Sequence, residues 1–121
     1  MDPRHALGHY GESLAETWLV KRGLRIVERR YATRFGELDL IALDGNCVVF
    51  VEVKTRHKAW ALSALDAITP AKQRRLAMAA YCYIAHRRLG RRNFRFDALT
   101  IEGERVQWIK NLFSPADYFT L

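Results

Sequence analysis

Long apolar runs are missing from this 121-residue chain, and with them any segment expected to cross a bilayer as a helix. The N-terminal stretch MDPRHALGHYGES lacks the apolar core of a secretory signal. Cysteine is scarce: Cys47 and Cys82 show neither metal-ligand spacing nor a disulfide framework. The four histidines are scattered, which argues against a zinc site. There is no internal repeat, low-complexity tract or linker. Acid is absent from Ala67 to Phe96, while Lys72, Arg74, Arg75, Arg87, Arg88, Arg91, Arg92 and Arg95 fall there. These absences predict a cytoplasmic protein away from membranes, with one domain over residues 1–121.

What is present is a globular composition with a cationic surplus. Half the residues are hydrophobic and 27% are charged, as in a chain that can bury a core. The net charge of +7 favours polyanions, nucleic acid first. The acid-free basic run points to phosphate contact, against the plainer reading of a solvated helix face.

The stretch Gly36–Lys54, GELDLIALDGNCVVFVEVK, reads as a β-hairpin. Asp44-Gly45-Asn46 is a strong turn signal between two arms with no proline. With Gly45-Asn46 as the loop, Asp39 faces Glu52 and Glu37 faces Lys54, all on one side of the sheet. With Asp44-Gly45 as the loop, Glu37 faces Glu52 and the same four side chains still share a face. A three-residue loop without a bulge sends Asp39 and Glu52 to opposite faces.

Opposed carboxylates at the edge of an apolar run repel each other and lose solvation. A divalent cation reverses both costs. Asp39 and Glu52 are therefore the expected ligands of Mg²⁺ or Mn²⁺, with the Val53 backbone carbonyl as a third oxygen. Lys54, on the same face, is placed to orient water or offset phosphate charge. The plainer alternative is a solvated hairpin end with Glu37 and Lys54 as a cross-strand ion pair.

Asp39 followed by Glu52-Val53-Lys54 resembles the bipartite D…(D/E)xK signature of restriction-endonuclease-like nucleases. The fuller set is Gly11-Glu12, Gly36 to Ala42, Val51 to Arg56, Thr69-Pro70 with Lys72, and Arg95-Phe96-Asp97. It resembles the YraN-like bacterial family, which is similar to archaeal Holliday-junction resolvases. The resemblance covers about Gly8 to Ile101. It implies a restriction-endonuclease-like fold, and it implies that Glu12 is an outer ligand of the metal site.

The remaining chain gives the expected order αβββαββ, an α/β fold with a mixed sheet and a helix on each side. The first helix is expected over Gly8–Arg22, with Gly8, Gly11, Leu14, Ala15, Trp18 and Leu19 on its apolar side. A strand over Leu24–Tyr31 and a loop over Ala32–Phe35 follow. Thr69-Pro70 starts the second helix, which ends at Gly90 with Leu76, Ala79, Ala80, Tyr83 and Ile84 as its core stripe. Tyr81 and Tyr83 read as packing residues. Two strands, Asn93–Ile101 and Arg105–Ile109, complete the sheet, and the apolar tail from Lys110 packs on the core or forms a dimer contact. The strands flanking the second helix are expected to pair in parallel.

The expected activity is metal-dependent hydrolysis of phosphodiesters in DNA, with branched DNA a candidate substrate and a homodimer the expected state. Asp39, Glu52, Lys54, Glu12 and Glu37 form the expected catalytic set, with Glu12 and Glu37 as accessory carboxylates. Arg34, Arg56, Lys58, Lys72, Arg74 and Arg75 are the expected backbone contacts. The alternative is a non-catalytic module binding DNA or RNA with a retained nuclease fold.

Overall fold

Cys47–Arg56 carries the apolar run Val48–Val51, buried on both faces, and in the computed structural model it is the central strand of a five-stranded sheet. The structure describes residues 3–56, 68–90 and 92–113, without the side chains of residues 3–9 and 56. In chain order the elements are helix α1 (Pro3–Lys21), strands β1 (Arg25–Thr33), β2 (Gly36–Asp44) and β3 (Cys47–Arg56), helix α2 (Pro70–Arg87), and strands β4 (Asn93–Glu102) and β5 (Arg105–Ile109). The strands lie in the order β1-β2-β3-β4-β5. All neighbours are antiparallel except β3 and β4, which pair in parallel on either side of α2. This mixed α/β arrangement agrees with the restriction-endonuclease-like core that the resemblance implied.

The period of two along β3 divides the core. Val48 and Phe50 pack with Leu76, Ala79, Ala80 and Tyr83 of α2 on one face. Val49 and Val51 pack with Ala15 and Leu19 of α1 on the other. A strand buried on both faces has no room for polar alternation, which is why its sequence reads as a continuous apolar run. The tail residues Leu112 and Phe113 pack on the α2 side, and the Phe113 ring stacks 4.4 Å from Phe96.

Several boundaries differ from expectation. Helix α1 starts at Pro3 rather than Gly8, because proline is tolerated at a first helical position, where its missing N–H has no partner to lose. Leu14 is 39% exposed, since the helix rests on the sheet through the narrow line Gly11, Ala15 and Leu19. β1 runs on to Thr33, so Ala32 and Thr33 are not loop: Ala32 pairs with Glu37 and Thr33 with Gly36. Helix α2 does begin at the Thr69 cap, whose hydroxyl accepts from the Lys72 N–H at 3.2 Å. It ends early, at Arg88 in a left-handed conformation, where the cap N–H returns to carbonyls of the last turn. Tyr83 is buried as expected, but Tyr81 is 56% exposed and stands on the outer face of α2.

Candidate metal centre

The hairpin takes the Gly45-Asn46 register: Asp44 pairs with Cys47, Leu43 with Val48 and Ile41 with Phe50. The paired residues end at Leu40 and Val51. Beyond that point the ladder opens. The Val53 N–H donates not to a main-chain carbonyl of β2 but to Asp39 Oδ2, at 2.9 Å. On the other side of β2, pairs form at Arg29–Leu40 and Tyr31–Leu38 but not at Arg30–Asp39. Arg30 has φ +49, a left-handed conformation that costs a non-glycine residue of order 1 kcal/mol. A bulge between Ile26 and Glu28 shifts the same strand. Leu38 and Ile41, an odd number of residues apart, both pack on the α2 side. The alternation of β2 therefore breaks across Asp39. Ladder irregularities of this kind re-aim side chains. Here they turn the end of the β2–β3 hairpin into a cavity of about 340 Å³.

Glu12, Glu37, Asp39, Glu52, Val53, Lys54 and Lys72 all line that cavity. Carboxylate oxygens of Glu12, Glu37 and Asp39 lie within 4.8 Å of one another. Glu52 is buried, and its Oε1 receives Lys72 Nζ at 3.0 Å and Lys54 Nζ at 3.3 Å. Glu12 reaches the cavity from α1 because Gly11 lets that helix touch β3. It is held there by Arg30, whose Nε donates to Glu12 Oε2 at 2.7 Å.

The electrostatics follow from this crowding. Burial, and then the nearby charge of Glu52, push the Asp39 carboxyl up to about 8, against the pull of the Val53 N–H. Burial and the neighbouring Lys72 lower the Lys54 pKa, although Glu52 opposes them. For Lys72, burial lowers the value, but the hydrogen bond with Lys54 and the charges of Glu52 and Asp39 outweigh it and raise it. Of the two lysines, Lys54 is thus the one whose proton is held less tightly. Three carboxylates with oxygens within 4.8 Å of one another are the residues that could hold a hard divalent cation.

Not every expected contact reaches the cavity. Lys72 does, and its Nζ meets Glu52 there. Arg75 is exposed and lines its wall, while Arg74 is exposed and does not. Arg34 lines a neighbouring groove, its guanidinium 4.9 Å from the centre of the Phe35 ring. The Arg56 side chain and Lys58 lie outside the described residues. Two members of the basic run are tied up in the fold. Arg87 pairs with Glu28 at 2.8 Å, and Arg95 pairs with Asp97 and Asp44. Arg30 is the residue that sequence reasoning missed, because Arg29-Arg30 looks like any exposed pair on a strand. Only the break in the ladder singles it out.

Gly11 explains how the helix comes so close. A Cβ added there stands 2.2 Å from Thr55 Cγ2 on β3. Gly11→Ala is expected to push α1 off the sheet, costing roughly 1–3 kcal/mol and moving Glu12 from the centre. Thr55→Ser in the same chain removes the offending methyl and restores both. Thermal melts with and without Mn²⁺ test this; a Gly11→Ala chain with unaltered stability and unaltered metal response would show that the contact is slack.

Residues 11–101 match a family described as "Uncharacterised protein family UPF0102". The chain is 43% identical over 117 residues to a UPF0102 protein of Bordetella avium, covering 97% of this chain and 81% of that one. It is 45% identical over 113 residues to a UPF0102 protein of Alkalilimnicola ehrlichii, covering 93% and 90%. A Vibrio cholerae member is 38% identical over 115 residues, covering 92% and 93%.

Proposed function

This chain belongs to the uncharacterised protein family UPF0102, the YraN family that its motifs resemble, and from that premise we propose a divalent-metal-dependent endonuclease acting on DNA, with branched DNA as the favoured substrate. One observation carries the reading. Glu12, Glu37 and Asp39 gather beside a buried Glu52 that two lysines hold, in one open cavity of a strongly basic protein.

Glu12, Glu37 and Asp39 would hold Mg²⁺ or Mn²⁺, with Glu52 as the adjacent acceptor. When bound, such an ion supplies an acidified water and a charge opposite the phosphoryl oxygens. Lys54 would take up the proton of the attacking water, which only its neutral form can do. Lys72 keeps its charge and faces the phosphate. Arg75, at the cavity wall, is placed for a neighbouring backbone phosphate. The water oxygen bonds to phosphorus, one ester P–O bond breaks, and a proton reaches the leaving oxygen. Recognition through shape and phosphate fits a site with few groups suited to base edges. A homodimer presenting two such centres would suit the two-fold character of a junction.

Incubating the purified chain with branched and linear DNA is the direct test. Product that requires Mg²⁺ or Mn²⁺ and vanishes with a chelator is the expected result. Salt-dependent binding without product under either metal would replace this reading with a DNA- or RNA-binding module.

A further inference from the structure

Glu52 stands apart from the other carboxylates. It lines the same cavity, yet among the described residues the group with converging oxygens is Glu12, Glu37 and Asp39. What holds Glu52 is cationic: Lys54 Nζ at 3.3 Å and Lys72 Nζ at 3.0 Å both meet one of its oxygens, Oε1. The two lysines are anchored differently. Lys54 lies two residues along the same strand, so it stays beside Glu52 whatever the helix does. Lys72 comes from α2, where the Thr69 hydroxyl fixes its main-chain N–H, and a flexible stem alone carries its ammonium to Glu52. That side chain is 26% exposed. Arg75, three residues on and so on the same side of the helix, lines the cavity wall, and the first turn of α2 holds no acid. This side of the cavity is therefore the one that favours an approaching anion.

We propose that Lys72 gates Glu52: with no phosphate present its ammonium caps the Glu52 carboxylate, and a phosphodiester entering beside Arg75 draws it away and frees Glu52 to join Asp39 on the divalent cation. The proposal rests on the metal-dependent reading of the cavity and adds how that centre is regulated. The exchange leaves no charge alone. Lys72 trades a carboxylate for a phosphate, and Glu52 trades an ammonium for the cation while keeping Lys54. Moving Lys72 without a phosphate strips a buried carboxylate of its nearer partner, which is costly. Phosphodiester and metal therefore each raise the affinity for the other by the same factor. The centre is completed only where there is a phosphodiester to act on.

The test is Mn²⁺ binding to the full chain, read from the electron paramagnetic resonance of the free ion and without DNA, so that cleavage plays no part. Removing the cap by Lys72→Met is expected to tighten Mn²⁺ about five-fold or more, while Lys72→Arg, which keeps the charge, holds the wild-type affinity. Glu52→Gln separates a gate from a plain change of charge. Its cost to Mn²⁺ affinity is expected to be small in the wild-type chain and about five-fold larger in the Lys72→Met background. Lys72→Gln carries the same comparison in a shorter, polar side chain, should Lys72→Met fold poorly. Excess dimethyl phosphate, a phosphodiester that stands in for the DNA backbone, is expected to act on wild type as Lys72→Met does. Equal costs of Glu52→Gln in the two backgrounds overturn the proposal, as does a wild-type Mn²⁺ affinity indifferent to dimethyl phosphate. Unequal costs with no cleavage of DNA under any metal keep the gate and reject the nuclease. Equal costs with metal-dependent cleavage do the reverse.

Discussion

Asp39→Asn is expected to abolish metal-dependent cleavage and, at the same time, to make the metal-free chain more stable at pH 8. The loss of activity follows from the site. Within the Glu12, Glu37 and Asp39 cluster proposed to hold the cation, Asp39 is the member that also accepts the Val53 N–H of β3. Metal-centred charge stabilisation is worth several kcal/mol, so a fall on the order of a thousand-fold is expected. The gain in stability follows from linkage. Asp39 is pushed up to about 8 in the folded chain, by burial first and Glu52 second, from an ordinary value of 3.8. A raised folded pKa means that the folded state holds this proton more tightly than the unfolded state. That contribution to stability is fully present below about pH 4 and is lost as the pH climbs towards 8. Asparagine still accepts from Val53, carries no charge towards Glu52 and titrates nowhere in this window. The variant should recover on the order of a few kcal/mol at pH 8 and little at pH 4.

The same linkage predicts how the proposed metal would act. A cation and a proton compete for Asp39, so binding releases the proton. The rise in melting temperature caused by Mn²⁺ should therefore grow between pH 6 and 8.5 in wild type and be absent in Asp39→Asn. Melts across pH, with and without metal, measure all of this. A variant that still cleaves at the wild-type rate, or a wild type whose metal response is flat with pH, would remove Asp39 from the centre.

Asp97→Ala should cause the largest loss of stability. Asp97 is 1% exposed and its two oxygens are fully used. They accept from Arg95 Nε at 2.9 Å and Nη2 at 3.0 Å, from Trp108 Nε1 at 2.8 Å and from the Asn111 N–H at 3.1 Å. This one side chain ties β4 to β5 and to the start of the tail. Removing it leaves a largely buried guanidinium with Asp44 as its remaining partner, and an indole N–H without its acceptor. Breaking a buried pair from one side costs about 3–5 kcal/mol, a large part of the whole stability of a small domain. Urea unfolding measures the loss directly. Because Asp97 contributes nothing to the acidic cavity, the fraction that remains folded should keep its Mn²⁺ response. A variant with near-normal stability would mean that Arg95 is satisfied by Asp44 alone.

Local rules carried much of this fold. The continuous apolar run of β3 announced a strand buried on both faces, and the structure places a helix over each. Thr69-Pro70 announced the start of α2, and Asp44-Gly45-Asn46 announced a hairpin whose register is the one counted from a Gly45-Asn46 loop. Turn chemistry, capping and periodicity act over a few residues, so they can be read along the chain. Counting from the turn brought Asp39 and Glu52 close, but the ladder opens one pair short of them, at Leu40 and Val51.

Tertiary structure decided the rest. The break in the β2 ladder, the left-handed Arg30, the seating of Glu12 and the arrival of Lys72 from α2 all depend on which elements touch. The basic run from Ala67 to Phe96 looked uniform in sequence. The fold spends Arg87 and Arg95 on Glu28, Asp44 and Asp97, and sends Lys72 inward. A charge has no intrinsic direction along a chain, and what it does is set by the surface that packing leaves around it.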